Sequence, residues 1–345
     1  MIVTTINIAS ELTKFLADIN NLAVKNGIKL YLVGGFIRDL LLGRASERCD
    51  LDFVLEGDAI KFAGQVSEAL GWKIHKFSDF LTAKLEPEIE NCPVREIDFA
   101  AARTENYPRP GALPVVKPGK LSEDWKRRDF TVNTLMIAVD DFLRLGERSA
   151  RTLLCERIID PCSGIADLEN KIVRVLHPRS FIDDPTRIFR ACRYSVKING
   201  QIEAGTVDLI ESAVLSDALD TVSEQRKLNE IKKILIDQDT VEIISLLYRL
   251  GVFRKFYLFE EDKFYQLIEA LDYLPTDSAG HIDKLRVELG LMLFYYSMNY
   301  ALRDQRFIQL GVGKKKTKFF SKIVNSHLSD GKMSKDKIEE LIKLL

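Results

Sequence analysis

The sequence has little of what would mark a secreted or zinc-binding protein. It contains five cysteines without a CxxC pair, and four histidines whose spacing fits no metal site. An odd number of unpaired cysteines favours free thiols in a reducing compartment, so we expect a cytoplasmic protein. The first residues also lack a basic segment followed by a long apolar run, and we expect no secretory signal.

Long apolar runs and a strong net charge are missing as well. The most apolar stretch, Val287–Leu302, contains Glu288, Ser297 and Asn299, which predicts a buried helix and no membrane span. The formal net charge is −1 over 345 residues, so any contact with nucleic acid must come from local patches. The clearest basic patch is KKKTKFFSK at Lys314–Lys322.

The two halves of the chain have different patterns. The first half mixes helical periodicity with short β-type runs, and we predict strands at Ile28–Val33, Leu51–Leu55, Arg95–Ala101 and Arg157–Asp160. Helical periodicity dominates from about Asp184 onward. Between Ala102 and Arg127 lies a stretch rich in proline and glycine, and loops of this length are often functional or disordered.

A glycine pair follows the first predicted strand. Gly34 and Gly35 come after Ile28–Val33, and a helix is predicted at Phe36–Leu42. Two glycines let a backbone approach a ligand closely, and a helix N-terminus attracts phosphate. Arg38 would then lie near such an anion. A tight structural turn is the alternative, and the glycines alone do not decide between the two.

The next predicted strand carries two acidic residues on one face. Strand side chains alternate, so Asp50 and Asp52 point one way while Leu51 and Phe53 point the other. Two neighbouring carboxylates need compensation, which Mg²⁺ ions would supply through their preference for oxygen ligands. Two such ions about 4 Å apart can activate an attacking hydroxyl and stabilise a leaving oxygen. A solvated strand face is the alternative, which the GG-x-x-R-D motif upstream disfavours.

A third carboxylate lies on another predicted strand. Asp98 alternates with Ile97 and Phe99, as on a half-buried strand. We include it with the catalytic candidates as a metal ligand or as a base for an incoming hydroxyl. An acid on an edge strand is an equally weighted alternative.

Five ordered motifs run through residues 30–235. They are GGFIRDLLLG followed by DLDFVLEGDAI, then RRDFTVNTL, DPCSGIADLENKIVRVL, FIDDPTRIFRACRY and the looser VSEQRKLNEIKKIL. Together they resemble the class II branch of the polymerase-β nucleotidyltransferase superfamily. This branch comprises CCA-adding tRNA nucleotidyltransferases, their CC-adding and A-adding relatives, and bacterial poly(A) polymerases. No HD phosphohydrolase signature accompanies the motifs, so we predict no second activity.

The resemblance implies an α+β fold with a polymerase-β-like nucleotidyltransferase head, made of a mixed sheet with helices, and an all-helical neck, body and tail. We expect the head at residues 1–176, a neck for base recognition at 177–240, and a body and tail for tRNA binding at 241–345. The implied activity is template-free addition of CCA, or its terminal A, to the tRNA 3′ end from CTP and ATP, with Mg²⁺ as cofactor. No membrane partner is expected.

The resemblance also implies roles for single residues. Asp50 and Asp52 would bind Mg²⁺. The residues expected at the nucleotide are Gly34, Gly35, Arg38, Arg128, Asn133, Asp184, Arg187, Arg190 and Arg193. In the third motif, Asp160, Gly164 and Asp167 are interpreted as turn and capping residues.

The doubled arginine of the second motif suits a triphosphate on chemical grounds alone. A guanidinium fork meets phosphate oxygens at two points, which favours Arg127 and Arg128 as anion-binding residues. A solvent-exposed pair beside Asp124 and Asp129 is the alternative.

Three features depart from the family pattern. Thr134 stands where alanine is usual, and Asp183 stands where the ED-x-x-R motif has glutamate. The interval 140–158 is longer than expected, which predicts a small extra hairpin or helix.

Asp184 and Arg187 are predicted to select the base. Residues three apart share a helix face, and Pro185 suits a first helical position. The carboxylate accepts hydrogen bonds and the guanidinium donates them, which matches the amino group and acceptors of cytosine and adenine. Uracil and guanine would present the wrong groups. The alternative is a helix cap or a salt bridge.

The basic patch is predicted to bind RNA. We expect Lys314, Lys315, Lys316 and Lys318 to contact tRNA phosphates; a solvated helix face is the alternative. Alternative functions for the whole chain are a CC-adding enzyme, a poly(A) polymerase and a catalytically silent RNA-binding module. In the family that the motifs resemble, a shortened loop in this segment accompanies CC-only addition, so the resemblance and the long segment 102–126 argue against that activity. A-only addition is the main rival to CCA.

Overall fold

The computed structural model describes residues 5–44, 49–88, 92–255, 259, 261–274, 280–310, 312–328 and 334–344. The chain forms two compact units. One consists of Met1–Pro108 and Leu113–His177, and the other of Arg109–Ala112 and Pro178–Leu345. The division of the second half at residue 240 stays a prediction.

The first unit is built on a mixed sheet. Its strands are β1 Thr5–Asn7, β2 Leu30–Val33, β3 Cys49–Leu55, β4 Lys73–Phe77, β5 Thr82–Glu86, β6 Val94–Ala101, β7 Arg103–Asn106, β8 Val115–Pro118, β9 Met136–Ala138, β10 Arg148–Ala150 and β11 Ile172–Val173. Six of them form one sheet in the order β4-β5-β6-β3-β2-β9. Strands β3 and β6 are parallel, and the other neighbours in this sheet are antiparallel.

Seven α-helices belong to the described part of the first unit. They are α1 Ser10–Lys25, α2 Gly35–Leu41, α3 Ala59–Leu70, α4 Leu121–Asp124, α5 Val139–Leu143, α6 Arg151–Arg157 and α7 Gly164–Glu169. Short 3₁₀ helices lie at Ser78–Phe80, Trp125–Arg127 and Thr131–Asn133. Local sequence sets the ends of α3, because Asp58 accepts a hydrogen bond from the backbone N–H of Lys61 and Gly71 adopts a left-handed φ of 69°.

The hydrophobic core of the first unit lies on the face of the sheet away from the acidic residues. Leu51 and Phe53 of β3 are buried, as are Ile97 and Phe99 of β6. The ring of Phe99 stacks on Phe53 at 5.2 Å and meets Phe62 of α3 edge-on at 5.4 Å. The predicted alternation of both strands is therefore confirmed.

One predicted strand is wrong. The segment Arg157–Asp160 begins with the last residue of α6, and only Ile159 makes an isolated bridge, with Met136. The helix buries Leu154, and short apolar runs do not distinguish a strand from the end of a buried helix. The extra elements predicted between residues 140 and 158 are present as α5, β10 and α6, with β10 paired to β1.

The proline-rich and glycine-rich segment after β6 is an ordered hairpin. Strands β7 and β8 pair antiparallel, from Arg103 opposite Pro118 to Asn106 opposite Val115. Pro108, Pro110 and Pro114 lie between the two strands, and Pro118 is the last residue of β8, so none of them interrupts the middle of a strand.

The second unit is helical, as predicted, apart from the two-residue strand β12 Gln201–Ile202. Its helices are α8 Ser180–Asp183, α9 Arg187–Lys197, α10 Ala204–Leu215, α11 Glu224–Leu235, α12 Thr240–Arg249, α13 Val252–Lys255, α14 Glu261–Leu271, α15 Gly280–Ser297, α16 Arg303–Gln309, α17 Lys314–His327 and α18 Lys335–Leu344, with a 3₁₀ turn at Ala218–Thr221. The apolar stretch is a buried helix, as predicted, as far as the end of α15 at Ser297, whereas Tyr300 and Leu302 follow the helix and are exposed. Within the described residues, no helix has both the length and the apolar character to cross a membrane.

Candidate active site

The glycine turn brings the acidic strand and the second motif together. Gly34 has φ 72° and ψ −127°, a conformation that side chains disfavour, and its N–H donates to the carbonyl of Leu135 at 3.1 Å. A Cβ on Gly34 would lie 3.7 Å from Oδ2 of Asp52 and 3.8 Å from Nη1 of Arg128. Residues from both parts of the first motif and from the second motif therefore meet at this turn.

Strand pairing puts four carboxylates on one face of the sheet. In the parallel register of β3 and β6, Asp50 is opposite Glu96 and Asp52 is opposite Asp98. The same-face placement of Asp50 and Asp52 follows the predicted alternation. Glu96 was missed by sequence reasoning, although its position two residues before Asp98 carries the same period-two signal.

Two cations face this acidic row. Arg95 donates two hydrogen bonds of 2.7 Å to the carboxylate of Asp50. Lys84 of β5 lies opposite Asp98, with Nζ 2.8 Å from Glu96 and 3.7 Å from Oδ2 of Asp98. Neither cation was predicted, since basic residues on a strand carry no signal of what lies across the sheet.

The acidic row is nevertheless short of positive charge. Burial raises the pKa of Asp98 from 3.8 to about 7; Lys84 opposes this rise, while Asp52 and Glu96 add to it. Carboxylate oxygens are the donors that Mg²⁺ prefers, so Asp50 and Asp52 fit a divalent cation chemically. Among the described residues, no group of three or more potential ligands is arranged to hold a metal ion.

Arg38 joins the first motif to the second. Its buried guanidinium donates from Nη1 to Oδ1 of Asn133 at 2.7 Å and from Nε to Asp39 at 2.9 Å. Asn133 in turn donates to Oδ1 of Asp129 at 3.0 Å. A Cβ on Gly35 would lie 3.6 Å from Nη2 of Arg38. The residues that the resemblance assigns to the triphosphate thus form one connected group.

Arg127 and Arg128 are not a solvent-exposed pair. Nε of Arg127 and Nη2 of Arg128 bind the two carboxylate oxygens of Asp124 at 2.8 and 2.9 Å. The side chains of the arginines are 16% and 13% exposed, and that of Asp124 is fully buried. Sequence reasoning considered Asp124 only as a surface neighbour and missed this contact.

The third motif makes structural contacts, in which Asp160 binds helix N–H groups as predicted and Asp167 binds side chains of other segments. Asp160 accepts hydrogen bonds from the backbone N–H groups of Gly164 and Ile165 at 2.7 and 2.9 Å, which caps α7. Asp167 accepts from the hydroxyl of Thr131 at 2.7 Å and from Arg174. The hydrogen bond between Asp167 and Thr131 holds α7 against the second motif.

In the second unit, Asp184 and Arg187 are held by different partners. Oδ1 of Asp184 accepts from the N–H of Thr186 at 3.1 Å and from Nη2 of Arg226 at 2.7 Å. Arg187 is buried, and its Nη1 donates to the hydroxyl of Ser180 at 2.7 Å. Arg226, from the fifth motif, was not predicted to take part.

The two remaining arginines of α9 also have protein contacts. The guanidinium of Arg190 lies over the ring of Tyr194 at 5.2 Å. In Arg193, Nη1 lies 3.8 Å from Oε2 of Glu230, and Nε lies 3.8 Å from Oδ2 of Asp237. Their predicted contact with the nucleotide stays a prediction.

The basic patch lies at the start of α17. Lys314, Lys315 and Lys318 are exposed, whereas Lys316 pairs with Glu288. Cations at a helix N-terminus oppose the helix dipole, so this arrangement costs stability unless an anion binds there.

The part of the chain that forms this arrangement matches a known protein-domain family. Residues 30–174 match the profile described as "Poly A polymerase head domain". The resemblance expected from the motifs is confirmed, and the matched segment contains the glycine turn, the acidic row and both arginines of the second motif.

Two curated relatives extend the match. The A-adding tRNA nucleotidyltransferase of Aquifex aeolicus (strain VF5) is 35% identical over 295 residues, which is 82% of this chain and 32% of that protein. The enzyme of the same name from Halalkalibacterium halodurans is 34% identical over 277 residues, 80% of this chain and 58% of that protein. The chain therefore spans less than two thirds of the length of these relatives.

The match to a solved structure covers a larger share of this chain and of the matched chain. A tRNA nucleotidyltransferase complexed with a primer tRNA and an incoming ATP analog is 29% identical, with a TM-score of 0.66. The match covers 90% of this chain and 84% of that one. The fold predicted for the head and for the helical remainder is thus the fold of a solved relative.

Proposed function

We propose that this chain adds nucleotides to the 3′ end of tRNA, completing CCA or its terminal A from CTP and ATP. One observation carries the proposal: the Gly34 turn brings Asp52 and Arg128 within contact distance of the same point. A carboxylate for a metal ion and a guanidinium for a phosphate at one open backbone turn suit nucleotidyl transfer. The matched family and the named relatives support the same chemistry.

The acidic row would carry the catalytic step. Asp50 and Asp52 would hold two Mg²⁺ ions, which when bound supply activation of the RNA hydroxyl and stabilisation of the leaving pyrophosphate. For this, Arg95 must release Asp50, and an exposed ion pair of this kind is weak. Asp98, with its pKa near 7, is suited to accept the proton of the attacking hydroxyl.

The glycine turn and the second motif would bind the triphosphate. Gly34 leaves room for phosphate oxygens to approach the backbone, and Arg128 supplies a charged fork beside it. Arg38 orders Asn133 through the hydrogen bond between them, so we assign Arg38 an organising role at the rim of this site.

Base selection would fall to Asp184 and Arg187. The carboxylate of Asp184 is bound to Arg226, so a base amino group has to replace or share that contact. The buried guanidinium of Arg187 would donate to the ring acceptor of cytosine or adenine. Uracil and guanine would meet Asp184 acceptor to acceptor, which rejects them.

Terminal A addition is the narrower form of the activity that the comparisons favour. The relatives at 34–38% identity from Aquifex, Geobacter and Halalkalibacterium are named A-adding enzymes. A CC-adding enzyme from Deinococcus radiodurans is 37% identical over a shorter 189 residues. We therefore propose that the chain completes tRNAs that already end in CC, with full CCA addition as the second candidate.

Product length on defined tRNA substrates tests the proposal. The chain is incubated with Mg²⁺, CTP and ATP and with tRNAs that end before CC, after CC or after CCA. A-adding activity extends only the second substrate, by one nucleotide, and CCA-adding activity also extends the first, by three. Long adenylate tails would identify a poly(A) polymerase, and binding without extension would overturn the enzymatic proposal.

A further inference from the structure

Asp124 is a buried carboxylate with three donors around it. It is the last residue of α4 and is completely shielded from solvent. Oδ1 accepts from Nε of Arg127 at 2.8 Å and from the backbone N–H of Arg103 at 3.3 Å, while Oδ2 accepts from Nη2 of Arg128 at 2.9 Å. A charge buried this deeply persists only when it is paired and hydrogen-bonded.

The charges of Asp124 and Arg128 depend on each other. Burial raises the pKa of Asp124, but the attraction of Arg127 and Arg128 outweighs burial and leaves the pKa below its usual value. Burial lowers the pKa of Arg128, Asp124 counteracts this, and the neighbouring Arg127 lowers it further. Without Asp124, two guanidinium groups would repel each other with nothing between them.

The donors of Arg128 that Asp124 does not use are poorly satisfied. Nη1 reaches the carbonyl of Asn133 only at 3.4 Å and lies 3.8 Å from the Cβ position of Gly34. Nε is buried and, in the part of the chain that the structure describes, has no hydrogen-bond partner. An oxyanion at the Gly34 turn would give Arg128 the partner that it lacks.

The surrounding network links Arg128 to further charged groups. Glu105 pairs with Arg103 at 2.8 Å and faces Arg127 at 3.6 Å. Asp124 joins Arg128 to this network through its hydrogen bonds to Arg127 and Arg128, and Asp52 at the Gly34 turn is a further negative charge that acts on Arg128.

We propose that Asp124 is a positioning residue for nucleotide binding, which rests on the function proposed above. It fixes one edge of the Arg128 guanidinium and lies between this group and the guanidinium of Arg127. The remaining donors are thereby held at the Gly34 turn, where they meet phosphate oxygens of the nucleoside triphosphate.

The test uses Asp124→Asn, with Glu123→Gln as the matched control. Glu123 is the preceding residue of the same helix, pairs with Lys126 at 3.3 Å and is exposed. Binding of ATP and of inorganic tripolyphosphate is measured by calorimetry on the RNA-free chain, together with KM and kcat for nucleotide addition. Tripolyphosphate reports on the phosphate contact alone, since it has no base and no ribose.

We expect Asp124→Asn to weaken the binding of ATP and of tripolyphosphate by at least about tenfold, which is the scale of a lost charge-assisted hydrogen bond. The KM for nucleotide addition should rise, and kcat should change by less than about threefold. Glu123→Gln should bind both ligands as the wild type does. Loss of thermal stability with unchanged tripolyphosphate affinity would overturn the proposal, and Asp124 would then have a structural role only.

A second pair of variants keeps the test decisive if Asp124→Asn does not fold. Arg127→Gln and the double variant Asp124→Asn/Arg127→Gln differ only at Asp124, and the double variant removes one charge of each sign. The double variant should bind tripolyphosphate at least about fivefold more weakly than Arg127→Gln. Equal binding would overturn the proposal. Absence of nucleotidyl transfer in the wild type would instead overturn the proposed function, because the binding measurements need no turnover.

Discussion

At the scale of single residues, the candidate site is a set of charges that are incompletely balanced. Asp98 is the clearest case, because burial and two neighbouring carboxylates raise its pKa to about 7 although Lys84 lies beside it. Arg128 is the converse case, because its buried Nε has no hydrogen-bond partner among the residues that the structure describes. Such imbalance is costly in the folded protein and is typical of sites that bind ions of the missing sign.

The raised pKa of Asp98 predicts a pH dependence of stability. In the metal-free protein the folded state holds this proton more tightly than the unfolded state, so the free energy of unfolding falls as pH rises from 3.8 to about 7 and is level above. Asp98→Asn should remove this fall and, after allowance for solvent screening, be more stable than the wild type at pH 8 by about 1 kcal/mol. Urea unfolding at pH 5 and pH 8 with a chelator present measures the effect.

The exposed acid Asp79 provides the control for that experiment. Asp79→Asn should keep the wild-type pH dependence. If Asp98→Asn lost as much stability between pH 5 and pH 8 as the wild type does, the raised pKa of Asp98 would not be the cause.

The base-selecting assignment is tested at Asp184 and Arg187. Asp184→Ala or Arg187→Ala should lower use of CTP or ATP and relax discrimination against UTP and GTP, by on the order of 1–3 kcal/mol for a lost bidentate base contact. Relative kcat/KM values for the four nucleotides provide the measurement. Thr186→Val is the control, because it removes the hydroxyl hydrogen bond to Asp184 and leaves the carboxylate in place. Wild-type selectivity in both alanine variants would show that Asp184 only caps α9.

At the scale of elements, periodicity predicted most of what positions the site. The alternation in β3 and β6 and the strand–glycine–helix order of β2 and α2 were visible because each depends on neighbouring residues only. The parallel register that sets Asp52 opposite Asp98 was not visible, since pairing between distant strands leaves no local pattern. Lys84, Arg95 and Arg226 were missed because their partners are also distant in sequence. Asp124 differs, because it lies three and four residues before Arg127 and Arg128, a spacing that could have indicated the contact.

The error at Arg157–Asp160 has a different origin. Arg157 ends α6, and of the two isoleucines that follow, only Ile159 pairs, in a single bridge to Met136. A short apolar run such as this one does not by itself identify a strand. The hairpin β7–β8 shows the opposite difficulty, because its prolines and glycines mask a regular pairing. Composition reports backbone preference and says nothing about which strand is available as a partner.

Helix α17 carries the prediction about RNA. Replacing Lys314, Lys315, Lys316 and Lys318 by glutamine should weaken tRNA binding and reduce the slope of log K against log salt by about 2–3, since Lys316 is already paired with Glu288. The choice of nucleotide should not change. Fluorescence anisotropy across a salt series measures the slope. Lys335→Gln/Lys343→Gln on α18 is the control with exposed lysines outside the patch. An unchanged slope in the fourfold variant would remove α17 from the tRNA interface.

At the scale of the whole molecule, a net charge of −1 conceals a strong local separation of charge. The first unit concentrates acidic residues on one sheet face and arginines around Asp124, and the second unit carries the exposed lysines of α17. This separation suits a protein that binds metal, triphosphate and RNA phosphate at different places. It also explains why the overall composition did not indicate the proposed binding of nucleoside triphosphate or of RNA.

The most direct test of the account is terminal nucleotide addition by Asp50→Asn and Asp52→Asn, measured with Mg²⁺ on a tRNA that ends in CC. Each variant should retain a few per cent of wild-type activity or less, while Asp79→Asn stays fully active and all three variants bind tRNA as the wild type does. Such a result would place the chemistry on the acidic face of β3. Substantial activity in both Asp50→Asn and Asp52→Asn would contradict the two-metal assignment and with it the central claim.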